Sequence, residues 1–312
     1  MPSVIFSNMH PRVFDSFCVL FNSIGWKVYI PSLKGHNYFG YGSLTIPSIG
    51  NYQELTYDEF LQTKPDVVLC LCDAQLKYSI KLARRTRSKL VLRSGNNNVK
   101  YTKKHSSFLI SNDIQTYEKS DVQHKLFFYL PPDYNLFTRQ RWCADSNIVT
   151  SYIQCYNSQW QNCWNVYNRI RLQNTDLAFL NFGAEVKNYP YNPFLLNKQD
   201  IVRTLSISRC VLHLKEAEGY GWSLLESLSC GIPVVVSKQY VVGKTCEKFL
   251  IDKLSAIYLN DLNDVTEFRK VFEDTKLLQT VSEKSYKFIR NLIIPQEQYN
   301  KVKLFLENVV LV

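Results

Sequence analysis

The sequence predicts an α/β protein of two successive αβα domains, each a parallel sheet covered by helices on both faces. Three observations carry that prediction. The chain has 312 residues, enough to bury two ordinary cores. Short apolar, β-branched runs alternate with segments of helical period almost from the start. The alternation stops once, at "LPPDYN" (130–135), and then begins again. Hydrophobic residues at 46% and charged residues at 21% are globular values, and no biased tract points to disorder.

In order along the chain, "SVIFS" is the first strand. A helix follows, opened by Pro11 in its first turn and closed near Gly25, with Phe14, Phe17, Cys18 and Phe21 on one face. "WKVYIPS" is the next strand. After a Gly/Tyr-rich stretch come "DVVLCLC", a helix over about 74–87, and the strands "KLVLRS", "SFLIS" and "KLFFYL". Strands that alternate with helices pair in parallel and are buried on both faces. Pro131 and Pro132 suit neither a central strand nor a helix interior, and they end this half.

The second half restarts at "NIVTSYI". There follow a Trp-rich helix around 157–172, "DLAFLNF", a polar loop with Pro190 and Pro193, a helix near 199–207, and "CVLHL". The turn "KEAEGYG", the helix "WSLLESLSC", "GIPVVVS" and "AIYLND" complete a second sheet. From about Leu262 the pattern is helical, interrupted at Pro295. The expected division is 1–140, 141–290 and a terminal helix over 291–312, with no internal repeat.

The net charge of +10 is uneven: residues 1–150 hold 18 Lys/Arg against 11 Asp/Glu. Between Ala74 and Asn112 there are ten basic residues and no acidic one. On the helix over 74–87, Lys77, Lys81, Arg84 and Arg85 form one stripe, beside an apolar face of Leu76, Ile80 and Ala83. Such a stripe is a solvated face, or it meets an anionic membrane surface or polyanion. Nucleic acid ranks last among these, because no DNA- or RNA-binding motif accompanies the charge. The nine cysteines are odd in number and scattered, as in a reduced, cytoplasmic protein. Cys70 and Cys72 would supply two metal ligands at best. "MPSVIFSNMHP" lacks the charged region of a secretory leader, and no apolar run is long enough to span a bilayer. A cytoplasmic protein, at most adhering to a membrane, is expected.

The stretch "EAEGYGWSLLESLSCGIPVVV" (216–236) carries the chemistry. In an open parallel sheet, ligands bind beyond the carboxyl ends of strands, at turns into helices. Here the strand is "CVLHL". The glycines let backbone N–H groups approach an anion, and the helix amino terminus adds about half a positive charge. That fits a diphosphate. Carboxylates would repel it, but they grip vicinal hydroxyls, so Glu218 and Glu226 suit a sugar and a ribose. The combination points to a nucleotide sugar. Ser223 and Glu226 also fit a capping box, in which Glu226 would be purely structural.

The same stretch closely resembles the signature of retaining nucleotide-sugar glycosyltransferases of group 1, similar to family 4, which have the GT-B fold. The matching residues are Glu218, Gly219, Tyr220, Gly221, Glu226, Cys230, Gly231, Pro233, Val234 and Val235. The resemblance implies two Rossmann-like domains facing a cleft, with the last helix crossing back to the first domain. It implies Glu218 beside the transferred sugar as the catalytic residue and Glu226 on the ribose. Lys215, Gly219, Tyr220, Gly221, Trp222 and Ser223 would complete the donor site. The expected activity is hexosyl transfer from a UDP- or GDP-sugar to a glycan, lipid or protein acceptor. It would proceed with retention, with no metal or cofactor, the leaving diphosphate taking the acceptor proton. No Asp-x-Asp pair offers a metal-bridged diphosphate site.

The chain departs from the family's pattern in three places, one being a second domain in which a loop around 183–198 replaces a strand–helix unit, so that base recognition does not carry over. The loop "TSYIQCYNSQW" holds no cation where the family has an Arg and a Lys; Lys215 and Lys238 are the nearest substitutes in sequence. The loop after the first strand, "SNMHPR", has no glycine. Asn8, His10, Arg93 and Asn96 are the acceptor-side candidates, with His10 either a base or a plain loop residue. His105 and His213 are expected to be structural. The alternatives are a sugar-nucleotide epimerase of the same fold, or a degenerate module that binds a nucleotide sugar without turnover.

Overall fold

The computed structural model describes residues 1–7, 11–32, 34, 38–40, 49–95, 103–153, 160–183, 197–216 and 218–311. Asn8, His10 and Asn96 lie outside these. The chain divides into two compact units, Met1–Pro131 with Ile293–Val312, and Pro132–Leu292.

The first unit holds a seven-stranded sheet ordered β3-β2-β1-β4-β5-β6-β7. Its strands are β1 (Ser3–Phe6), β2 (Lys27–Pro31), β3 (Gln53–Leu55), β4 (Val67–Cys70), β5 (Lys89–Ser94), β6 (Phe108–Ser111) and β7 (His124–Phe127). Every pairing is parallel; Val4, for example, sits opposite Val28 on one side and Val67 on the other. Helix α1 (Pro11–Ser23) buries Phe14, Phe17, Cys18 and Phe21 completely, and Phe6 meets Phe14 and Phe21 edge-on at 5.7 and 5.2 Å. The apolar spacing of α1 is thus the cause of its docking on the sheet.

Three short elements go beyond the sequence reading: β3, α2 (Tyr57–Thr63) and α4 (Ile114–Lys119). Helix α2 opens with a capping box, Thr56 N donating to Glu59 Oε2 at 2.7 Å and Glu59 N donating to Thr56 Oγ1 at 3.3 Å. Helix α3 (Leu76–Thr86) buries Ser79, Leu82, Ala83 and Thr86. Its inner face is therefore turned from the expected one, leaving Leu76 and Ile80 half-buried at its border. Burial pushes the Cys70 thiol up to about 12, which keeps it protonated and a poor metal ligand.

The second unit holds a five-stranded parallel sheet ordered β12-β11-β10-β8-β9. Its strands are β8 (Ile148–Ser151), β9 (Ala178–Asn181), β10 (Cys210–His213), β11 (Val234–Ser237) and β12 (Ala256–Leu259). The described helices are α5 (Gln161–Gln173), α6 (Lys198–Ile207), α7 (Trp222–Cys230), α8 (Lys238–Val241), α9 (Val265–Glu273) and α10 (Thr275–Leu292). From β8 the chain moves outward to β9, then returns to lay β10 on the other side of β8. That reversal is the switch point at which open α/β sheets bind ligands.

The last helix, α11 (Pro295–Leu311), belongs to the first unit. Gln298 Oε1 accepts from Tyr129 N at 3.0 Å, and Val302, Leu306 and Val309 are buried. Among the described residues, no helix is long and apolar enough to cross a membrane.

Candidate active site

Beyond the carboxyl end of β10 the chain turns into α7 through Glu218, Gly219, Tyr220 and Gly221. Gly221 is the N-cap of the helix, in the left-handed region at φ 74°, and no side chain caps the first turn. A residue with Cβ would be strained there and would meet Leu224 Cδ1 at 3.0 Å. Ser223 lies inside the helix, its carbonyl accepting from Ser227 Oγ at 2.7 Å. The capping box proposed for Ser223 and Glu226 is therefore absent. Glu226 instead sits in mid-helix, 3% exposed, a buried carboxylate on an otherwise apolar and serine-lined element.

Glu218 is tied to the strand that precedes it. Its Oε2 accepts from His213 Nε2 at 2.9 Å and lies 3.5 Å from Lys215 Nζ. A carboxylate can only accept, so Nε2 carries the proton. Burial alone would raise the Glu218 carboxyl; the Lys215 charge and the His213 hydrogen bond outweigh it and hold the group down at about 2. The carboxylate is ionised at any physiological pH, which suits electrostatic work and not proton donation.

Two lysines act on this carboxylate, Lys215 at 3.5 Å and Lys244 through its charge. Lys215 Nζ lies 5.9 Å from the centre of the Trp160 ring. Lys238 is exposed, at the start of the short α8. Lys244, which sequence reasoning did not single out, binds the carbonyls of Glu216 and Tyr240 and feels the charge of Glu218. Desolvation lowers its ammonium from the ordinary value. No local spacing links Lys244 to the signature; it follows the short α8, and its bonds to the carbonyls of Glu216 and Tyr240 bring it there.

Aromatic packing fixes the turn. Tyr220 is 2% exposed and meets Trp222 and Phe249 edge-on, at 5.4 and 6.4 Å between centroids. Several buried polar atoms gather at this carboxyl edge. Ser151 Oγ ends β8, Asn181 Oδ1 ends β9, His213 Nδ1 ends β10 and Trp222 Nε1 opens α7; none has a hydrogen-bond partner among the described residues. Buried polar atoms are normally paired, so such a cluster fits a place where a polar ligand completes the set.

In the first unit, Arg93 is the next-to-last residue of β5 and is 5% exposed. Its Nε and Nη2 donate to Asn112 Oδ1 at 3.3 and 3.2 Å, and its guanidinium lies 5.7 Å from the Phe17 ring centre. It is thus anchored in the carboxyl edge of the first sheet. His105 lies by α3, lining a groove with Lys77, Lys81, Arg84 and Arg85.

The model of the family described as "Glycosyl transferases group 1" matches residues 191–288, which contain β10, the Glu218 turn, α7 and β11. Over that segment, which is less than half of the chain, the sequence is similar to the group 1 glycosyl transferases. Solved structures place the whole chain in the GT-B fold. Anabaena HepE, solved with UDP and glucose, superposes with a TM-score of 0.73 over 98% of this chain and 99% of its own, at 12% identity. Sucrose-phosphate synthase from Thermosynechococcus elongatus gives 0.71 over 99% of both chains at 10% identity. The lipopolysaccharide outer core galactosyltransferase WaaB gives 0.62 over 99% of both at 10% identity. At such identities the likeness is one of fold. No curated protein sequence matches the chain.

Proposed function

We propose that the protein transfers a hexose from a UDP-sugar to an acceptor hydroxyl, with the donor held at the carboxyl edge of the second sheet. The observation that carries this reading is Glu218, ionised between His213 and Lys215 at the switch point, eight residues before the buried Glu226. Glu218 would lie beside the sugar ring and stabilise the positive charge that grows on it. Glu226 would bind the ribose hydroxyls. Ser151 and Asn181, each with a buried oxygen unpartnered among the described residues, would serve the nucleotide. UDP is favoured over GDP because HepE and an α-glucosyltransferase of the same fold were solved with UDP.

The bond from the anomeric carbon to the diphosphate breaks as the acceptor oxygen attacks the same face. The departing phosphate oxygen takes the acceptor proton, so the protein needs no base of its own. Its contribution is position and charge. The N–H groups of residues 220–223, the amino end of α7, and Lys215 with Lys244 would neutralise the leaving diphosphate. These two lysines take the place of the Arg/Lys pair that the loop after β8 lacks. The acceptor-side residues are Arg93 with Asn8, His10 and Asn96. The basic stripe of α3 fits an anionic partner, which an acidic glycan or an anionic membrane surface would supply. Among the described residues the eight cysteines are free thiols, which fits a cytoplasmic location.

The test is release of UDP or GDP from a panel of nucleotide sugars. One donor should be turned over, and Glu218→Ala should slow its release by about 10²–10³-fold with the fold intact. Absence of both release and donor binding across the panel would overturn the reading.

A further inference from the structure

The carboxyl edge of the first sheet holds a second concavity that donor binding leaves unused. Ser32 follows β2 and Thr56 follows β3. These two residues, Tyr38, Tyr57, Tyr78, Lys81 and Leu82 line a cavity of about 390 Å3. That is within the range of small-molecule sites, about 300–1,000 Å3.

Its rings are held in place. Tyr38 stacks on Phe60 with 5.7 Å between centroids and donates to Leu55 O at 3.2 Å. The Tyr57 hydroxyl accepts from Arg85 Nη1. Tyr78, 39% exposed, lies against the backbone of Gly40, where a Cβ would fall 2.2 Å from the ring. Fixed aromatic faces beside hydroxyls suit the alternating apolar and hydroxylated surface of a pyranose ring. Ser32 Oγ donates to Glu54 Oε2 at 3.3 Å, so this rim favours a sugar hydroxyl over an acid group.

Lys81 also lines the neighbouring groove, with Lys77, Arg84, Arg85 and His105. The aromatic cavity therefore opens onto a row of cations. A membrane-binding helix would turn a broad apolar face outward. Here Leu82 and Ala83 are buried, and Tyr78 is the single large hydrophobic residue of α3 with more than a third of its surface exposed.

We propose that this cavity seats a sugar of the acceptor, and that the acceptor is an acidic oligosaccharide whose carboxylate, sulfate or phosphate lies along Lys81, Lys77 and Arg84. The word acceptor rests on the glycosyl-transfer reading; the acidic-glycan site rests on the cavity and the groove.

The experiment is calorimetric titration of the full chain with acidic oligosaccharides (trigalacturonate, a heparin tetrasaccharide, a mannose-phosphate disaccharide) and with neutral maltotriose. Vesicles of phosphatidylcholine with phosphatidylglycerol, and UDP-glucose, are titrated into the same samples. One acidic glycan should bind about tenfold more tightly than maltotriose and weaken with salt. Tyr78→Ala and Lys81→Ala should each reduce that affinity about tenfold. Tyr78→Phe should retain it, while Gly40→Ala, which displaces the ring and keeps the tyrosine, should lose it. Equal affinity for neutral and acidic glycans, or no glycan binding, would overturn the proposal. So would vesicle binding that needs Lys77 and Arg84 but is indifferent to Tyr78. A chain that binds an acidic glycan but no nucleotide sugar sinks the transfer reading and the term acceptor. A chain that binds donor but no acidic glycan sinks the cavity alone.

Discussion

Glu218, His213 and Lys215 form a unit in which the carboxylate is shared between a ring N–H at 2.9 Å and an ammonium at 3.5 Å. Its carboxyl is held at about 2, against an ordinary value of about 4.3. Between those values the folded protein binds fewer protons than the unfolded chain. The stability from this carboxylate is thus complete above the ordinary value and is lost as pH falls towards 2. Lys215→Met would remove the main lowering influence and leave burial, which raises the carboxyl. The acid limb of donor release should then move towards neutral, and stability near pH 5 should fall below that of the wild type. A pH profile of nucleotide release from both proteins checks this; an unmoved acid limb would show that Lys215 does not hold the carboxylate. The two glutamates of this site were legible in sequence, because the spacing around a Gly-Tyr-Gly turn is local. His213 was not: a histidine in "CVLHL" looks like a strand residue until the turn folds its partner back onto it. Lys244 is farther still, 26 residues beyond Glu218, and only its bond to the Glu216 carbonyl brings it near.

At the level of elements, α7 depends on its first residue. Gly221 adopts φ 74° and takes the N-cap position without a capping side chain, so the N–H groups of the first turn are left for other partners. A serine or aspartate cap there would satisfy one of those donors and occupy the approach. Gly221→Ala should therefore act twice. It should destabilise the second unit by about 1–2 kcal/mol, the cost of a left-handed non-glycine residue. It should also weaken nucleotide-sugar binding beyond what that loss of stability explains, since Cβ points at Leu224 and Glu218. Thermal melts with and without UDP-glucose separate the two effects; unchanged donor affinity would mean that the turn is merely structural. Long periodic elements of this kind were readable: all five strands of the second sheet follow their apolar runs. The elements that escaped were short. β3 has three residues, too few for alternation to emerge, and α2 is a seven-residue helix. Its capping box, Thr56 and Glu59, was nonetheless written in the sequence, whereas the one suspected at Ser223 was not made. The same four-residue pattern is decided by where the backbone turns, and Gly221 turns it two residues earlier.

For the molecule as a whole, the chain leaves the first unit after Pro131 and returns to it at Ile293. The first unit is thus closed by residues made last. Ile293, Val302, Leu306 and Val309 are buried to within 1% of their surface, and Gln298 caps the amide of Tyr129 just beyond β7. Burying such side chains contributes at most about 1.5–3 kcal/mol each, and a domain's net stability is only about 5–15 kcal/mol. Removing residues 293–312 should therefore unsettle the first unit selectively, although the cut lies in sequence next to the second. Hydrogen exchange on the full chain and the truncated one reads this directly. Amides of β6 and β7 should lose protection, while those of β8, β10 and β11 keep theirs, and nucleotide-sugar binding by the second unit should persist without transfer. Equal loss of protection in both sheets would show instead that the two units fold as one cooperative body, and the helix would then be a global clasp and not a part of the first core.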